Sequence, residues 1–155
     1  MDDPSQAFLA ALQIKASMKQ TKNLDVRISI GIGEVDTLKE NILGSNGSAF
    51  VRSGKNLDEL KKNKVSFSVS TGNKILDEEM NLYIRLALFG IIDSWTTASA
   101  EMVSIILQNS GLQQEELSKM TGIAQSAISQ RLKRANYEVL MELNDMYVRK
   151  INMLI

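Results

Sequence analysis

Residues 112–136, LQQEELSKMTGIAQSAISQRLKRAN, decide the fold expected for the C-terminal third of this chain. Their pattern predicts a helix over 113–120, a tight turn over 121–123 and a second helix over 124–135. Gly122 gives the backbone the freedom that a sharp turn between two steeply crossing helices requires. Four apolar residues have the spacing that holds this crossing: Leu117, Ile123, Ile128 and Leu132.

The outward side of the second helix is predicted to be polar and basic. Between residues 117 and 137 the chain has four cations and no acid, whereas the whole chain of 155 residues has a net charge of zero. Amides and hydroxyls suit base edges in the major groove of DNA, and cations suit its phosphates. The residues predicted to bind DNA are Gln125, Ser126, Ser129 and Gln130 for bases, and Arg131, Lys133 and Arg134 for phosphates.

Two interpretations of this stretch that involve no DNA binding stay open. The pair of helices can be one that only packs, since such hairpins also occur in bundles that bind no DNA. Arg131 and Arg134 can be solvated cations that favour the C-terminal end of a helix dipole, and Lys119 is expected to be no more than that. The turn glycine, the apolar residues, the polar side chains and the acid-free positive charge share one window, which favours DNA binding.

Upstream of this window the sequence predicts both strands and helices. In DVRISIGIGEV, residues 25–35, apolar residues alternate as in a half-buried strand. Gly31 and Gly33 lie on its other face, where they permit a bulge or a close backbone approach. A loop is expected around Gly44 and Asn46, and a short second strand over 65–69. Helices are predicted over 5–19, 48–62, 77–95, 97–109 and 137–155.

The 112–136 window resembles the helix-turn-helix of bacterial regulators. The matching positions are Gln114, Glu116, Leu117, Gly122, Ile123 and the runs 125–129 and 131–135. Ser118 replaces the usual alanine, and Ala124 replaces a serine that commonly caps the second helix. Thr121 or Gln125 can take over that capping. The resemblance implies a protein that binds DNA and regulates transcription.

A second resemblance covers the residues before this window. DVRISIGIGEV and SNGSAFVRSGKNLDELKK, residues 45–62, are similar to the SatD-type bacterial family, in which a nucleotide-cyclase-like α+β domain precedes a helix-turn-helix. The resemblance implies an α+β fold, with a partial ferredoxin/cyclase-like two-layer domain over 1–75 and an all-α helical region over 76–155. The N-terminal strands of a complete cyclase-like domain are missing, as if the sequence began at that domain's first or second helix. Whether the native chain has further N-terminal residues stays open.

Enzymatic activity is not expected, and no catalytic residue, metal or cofactor is assigned. The chain has no Cys and no His, which excludes Cys/His zinc sites and a Cys or His nucleophile–base pair. Where class III cyclases carry an Asn–Arg pair, the resemblance places Val51 and Lys55. Gly31-x-Gly33 lacks the third glycine of a dinucleotide site, and residues 53–56 do not complete a P-loop.

The sequence therefore predicts a cytoplasmic DNA-binding protein whose partner is double-stranded DNA. No run of about 18 apolar residues occurs, so no membrane partner is expected. The alternatives are a protein-interaction adaptor and a degenerate nucleotide-sensing domain. The last helix is apolar enough to pack either on the helix before Trp95 or on a second copy, and a homodimer is the state we expect. The operator, the target genes and any small-molecule effector stay open.

Overall fold

The computed structural model describes residues 3–35 and 47–154. The loop predicted around Gly44 and Asn46 lies outside these residues. The described residues group into two compact units, the first made of 3–7, 27–35 and 47–86 and the second of 8–26 and 87–154. The domain limits expected from the sequence, 1–75 and 76–155, stay a prediction.

Most of the described chain is helical, and one small sheet completes the α+β fold that the sequence predicts. The helices are α1 (Ala7–Lys19), α2 (Ser48–Asn63), α3 (Lys74–Gly90), α4 (Thr97–Gln108), α5 (Gln114–Thr121), α6 (Gln125–Arg134) and α7 (Tyr137–Asn152). The strands are β1 (Ile28–Gly31) and β2 (Phe67–Ser70). Within the described residues, no helix has both the length and the apolar character needed to cross a membrane.

In the first unit, β1 and β2 pair in parallel, in a register that joins Ile28 to Phe67 and Gly31 to Ser70. The crossover between them is α2, which packs against both strands. The helix can come this close because Gly31 has no side chain, and a Cβ there would clash with the carbonyl oxygen of Ala49. The close backbone approach predicted for this strand is thereby confirmed.

The sheet is smaller than the alternation of residues 25–35 predicts. β1 has four residues because its partner β2 has four. After β2 the chain turns, and Asp77 accepts hydrogen bonds from the N–H groups of Thr71 and Gly72 at 2.7 and 3.3 Å. Along the outer edge of β2, the side-chain amide of Asn81 bonds both the N–H and the carbonyl of Val69, at 2.9 and 2.7 Å. One side chain thus satisfies backbone groups that a further strand would otherwise pair.

The second unit has a core to which α1, α4 and α7 each contribute buried side chains. Phe8 and Tyr147 have ring centroids 5.6 Å apart, and Met102 is fully buried. Leu140 and Ile151 of α7 are also buried. Because α7 buries these residues within one chain, they need no second copy to cover them.

Among the described residues of the second unit, one lysine is buried. The Lys15 side chain is fully buried, and its Nζ donates to Oδ1 of Asp25 at 2.7 Å. Burial lowers the pKa of Lys15, even though the carboxylate acts to raise it. Burial acts to raise the pKa of Asp25, but hydrogen bonds from Lys15 and from the Val26 N–H outweigh it and lower that pKa. The ion pair between Lys15 and Asp25 holds the segment that follows α1 against α1.

The helix predicted over 77–95 begins and ends earlier in the structure, as α3. A 3-10 turn at Ile92–Ser94 follows it, and Trp95 is extended, with φ −61° and ψ 131°. Glycine at position 90 is a poor helix former, and the Ser94 hydroxyl donates to the Ile91 carbonyl at 2.7 Å, which competes with a continued helix. Thr96 then caps α4 by accepting a hydrogen bond from the Ser99 N–H at 3.1 Å.

Candidate nucleic-acid interface

Local hydrogen bonds fix both ends of α5. Glu116 accepts a hydrogen bond from the backbone N–H of Gln113 at 2.7 Å, which also places a carboxylate at the positive end of the helix. Leu117 is completely buried. At the other end, the Gly122 N–H donates to the Ser118 carbonyl at 2.9 Å. The position of α5 therefore depends on two end contacts and one buried side chain.

The turn between α5 and α6 requires a glycine. Gly122 has a φ of 71°, in the left-handed region where a residue with a Cβ is strained. A Cβ there would meet no atom within 4 Å, so backbone conformation rather than lack of space selects glycine. Thr121 supports the turn because its hydroxyl donates to the Leu117 carbonyl at 2.7 Å and accepts from the Ile123 N–H at 3.3 Å. The role predicted for Gly122 is confirmed.

The start of α6 differs from the expectation that Thr121 or Gln125 replaces the missing serine cap. No side chain among the described residues caps α6 at Ala124. The Thr121 hydroxyl is already used inside the turn. The first N–H groups of α6 are therefore left to solvent or to a ligand.

One side of α6 is buried and the other is exposed. Ile128 and Leu132 are buried where α6 packs against α4, α5 and α7. Six of the seven residues predicted to bind DNA are exposed, and we call this set the α6 face: Gln125, Ser126, Ser129, Gln130, Lys133 and Arg134. Because α6 contains no acidic residue, the α6 face is polar and positively charged.

Arg131, the seventh predicted residue, has different surroundings. Its side chain is 29% exposed, and its Nη1 donates to a carboxylate oxygen of Glu101 on α4 at 3.5 Å. Lys133 and Arg134 form no ion pair with any other described residue. Lys119 pairs with a carboxylate of its own helix at 2.8 Å. Lys133 and Arg134 are therefore the cations of this region that are free to meet an external anion.

The sequence interpretation did not assign the residue that holds the far end of α6. Trp95 is buried, and its Nε1 donates to the carbonyl oxygen of Ala135, the C-cap of α6, at 3.0 Å. Asn136 follows with a φ of 49° and leads the chain into α7. An asparagine between two predicted helices is a usable signal for such a turn, since Asn tolerates this conformation. The contact of the single tryptophan with a residue 40 positions away has no local signal.

A surface cavity of about 570 Å³ adjoins the α6 face. Ser129 and Lys133 line it together with Tyr137 and Val139 of α7. Burial raises the pKa of Tyr137, whose hydroxyl can donate a hydrogen bond. The cavity gives the cationic end of the α6 face a recess lined by both polar and apolar side chains.

These features define an α+β protein whose second unit presents a short helix with a polar, positively charged face. The chain belongs to the SatD family, whose model matches residues 3–149. The family inferred from the sequence is thereby confirmed. Comparison with curated proteins gives no match, and neither does comparison with solved structures.

Proposed function

We propose that this protein binds double-stranded DNA through α6 and regulates transcription. The observation that supports this most directly is the division of α6, which buries Ile128 and Leu132 and exposes six polar or cationic side chains. In this proposal, α5, the turn at Gly122 and α6 form a helix-turn-helix, and α6 is its recognition helix.

The size and support of α6 suit a major groove. Its ten residues make a helix about 15 Å long, and the groove is about 12 Å wide. The turn at Gly122 holds one end of the helix, and the hydrogen bond from Trp95 holds the other. A helix fixed in this way loses little further conformational freedom when it binds.

The α6 face divides by chemistry into two sets. Its four amide and hydroxyl residues read base edges as donors and acceptors, while Lys133 and Arg134 contact phosphates. Arg131 can join them, because its ion pair with Glu101 is partly exposed and such pairs contribute little to stability.

In this proposal the first unit is a scaffold without catalytic activity. Its parallel β1–α2–β2 arrangement is compatible with the partial cyclase-like domain that the family resemblance implies. Val51 and Lys55, at the positions of the cyclase Asn–Arg pair, are exposed on α2 and supply neither an amide nor a guanidinium for phosphoryl transfer. In this proposal the protein is cytoplasmic, because its partner is DNA.

Selection of bound duplexes from a random pool tests this function. The wild-type protein is expected to enrich one sequence. Gln130→Ala is expected to weaken the preference at one base position by about 1–3 kcal/mol, since it removes one base-reading amide. Gln20→Ala, which removes an exposed amide elsewhere in the second unit, is the matched control and should select the wild-type sequence.

Two results would contradict the proposal. If the wild type enriches no sequence and has no salt-dependent affinity for duplex DNA, the protein-interaction alternative is favoured. If Gln20→Ala alters the selected sequence as much as Gln130→Ala does, base reading does not belong to the α6 face.

A further inference from the structure

The cavity beside α6 is lined by hydrogen-bond donors that have no partner in the described part of the chain. Five of its lining residues carry side-chain N–H or O–H groups that form neither a hydrogen bond nor an ion pair with another described residue: Gln114, Ser129, Lys133, Asn136 and Tyr137. Tyr137 is half-buried, and a tyrosine hydroxyl that is withdrawn from water usually has a hydrogen-bond partner. These donors are therefore available to an acceptor from outside the chain.

The cavity lies on one flank of α6. At about 100° per residue around the helix axis, Gln130 lies opposite the buried side and marks the middle of the α6 face. Ser129 and Lys133, which line the cavity, lie about 80° to one side of this middle. Arg131 and Arg134 lie about 70° to the other side. The helix therefore carries cations on both flanks, and the cavity adjoins one of them.

A helix in the major groove lies between the phosphate backbones of the two DNA strands. When the middle of the α6 face points at base edges, each flank of α6 comes near one strand. The cavity volume of about 570 Å³ is many times the roughly 30 Å³ of one water molecule, so it has room for a phosphate together with its sugar. The apolar side chains that also line the cavity suit the carbon atoms of a deoxyribose: Ile106, Leu132 and Val139.

We infer that this cavity holds a backbone phosphate of one DNA strand, and that the Tyr137 hydroxyl donates a hydrogen bond to that phosphate. The inference rests on the proposed binding of DNA through α6 and deepens it. Lys133 contacts the strand at the cavity, whereas Arg134, on the other flank, contacts the opposite strand. Tyr137, the first residue of α7, is then a DNA contact outside the helix-turn-helix.

The charges around the cavity favour a phosphate of DNA over a free phosphate ion. Glu138 also lines the cavity, and like Lys133 it forms no ion pair with another described residue. One positive and one negative charge give the lining no net charge, and such a cavity does not concentrate free anions. A backbone phosphate, in contrast, is brought to the cavity by the other contacts that the α6 face makes with the duplex.

Removal of the Tyr137 hydroxyl tests the contact. Tyr137→Phe should weaken binding of a selected duplex about tenfold, because it removes a hydrogen bond to a charged group. The dependence of affinity on salt should stay that of the wild type, since no charge is lost. Tyr83→Phe, the same change at an exposed tyrosine of α3, is the matched control and should bind like the wild type. Urea titrations establish that both variants are folded.

Neutral backbone links locate the phosphate. Selected duplexes that each carry one methylphosphonate remove the charge of one phosphate at a time. At one position the loss of affinity should be about tenfold for the wild type and about threefold or less for Tyr137→Phe and for Lys133→Ala, because these variants have already lost a contact with that phosphate. Arg134→Ala should show its smaller loss at a position on the opposite strand.

Inorganic phosphate distinguishes the two sources of a phosphate group. When it replaces chloride at equal ionic strength, the affinity of the wild type for the duplex should not change. A loss of affinity that the wild type shows and Tyr137→Phe does not would assign the cavity to free phosphate and overturn the inference.

Equal affinities of Tyr137→Phe and the wild type for the duplex overturn the inference and leave the proposed function intact. Smaller losses for Lys133→Ala and Arg134→Ala on the same strand overturn it as well. A wild type without affinity for duplex DNA overturns the proposed function and this inference together.

Discussion

Removal of the two exposed cations at the end of α6 tests the proposed contact between this helix and DNA phosphates. Lys133→Ala combined with Arg134→Ala removes charges that form no ion pair among the described residues. Each phosphate contact contributes about 0.9 to the slope of log affinity against log salt concentration, so the slope should become about 1.8 smaller. Between about 50 and 200 mM salt, the affinity advantage of the wild type should therefore shrink about tenfold.

Fluorescence anisotropy of a labelled selected duplex, measured over a series of salt concentrations, gives both slopes. Lys61→Ala combined with Lys62→Ala is the matched control, since it removes the same charge from exposed residues of α2. The control should keep the wild-type slope. A wild-type slope in the α6 double variant, or an equal change in the control, would refute the assignment of phosphate contacts to Lys133 and Arg134.

The remaining predictions concern the stability of the supports around α6 and in the second unit. Gly122→Ala should lower the free energy of unfolding by about 1–2 kcal/mol, because alanine is strained at a φ of 71°. The control is Gly54→Ala, inside α2, where the new Cβ has no atom within 4 Å; this change should raise the free energy of unfolding by about 0.5–1 kcal/mol. Equal effects of the two substitutions in urea titrations would contradict the role of the turn. Asp25→Ala should lower the free energy of unfolding by about 1.5–2 kcal/mol at neutral pH, because it leaves the buried Lys15 ammonium without its acceptor. This value is at the low end of the range for hydrogen bonds to charged groups, since the Asp25 side chain is 42% exposed. Since folding lowers the pKa of Asp25, this stabilisation is present above the ordinary value of 3.8 and is lost as the pH falls through the folded pKa. Wild type and Asp25→Ala should therefore converge in acid melts, and a constant difference would contradict the pairing.

Local signals made the helices around the candidate site predictable. The turn at Gly122 needs a positive φ, which glycine adopts without strain, so the residue itself marks the turn. Ile128 and Leu132 are four residues apart and fall on one side of a helix, which fixed in advance the side that α6 exposes. These properties depend on neighbours within a turn or two, and a sequence pattern records such neighbours directly.

Contacts between distant segments could not be predicted in the same way. The bond from Trp95 to Ala135 and the ion pair of Arg131 with Glu101 join residues that are 40 and 30 positions apart. Spacing carries no information about such pairs, so the sequence alone places Arg131 with Lys133 and Arg134 on the outward side of the helix. The length of β1 was overestimated for a related reason, because alternation over residues 25–35 describes a half-buried strand but not how much of it a partner strand reaches.

Cross-linking from α6 to DNA measures most directly whether the α6 face enters the duplex. The chain contains no cysteine, so a single introduced cysteine can carry a photoreactive cross-linker at one known place. With a selected duplex, Gln130→Cys should cross-link to bases, whereas Val51→Cys on α2 should give no cross-link. Equal cross-linking from both positions, or cross-linking from Val51→Cys alone, would contradict binding through α6.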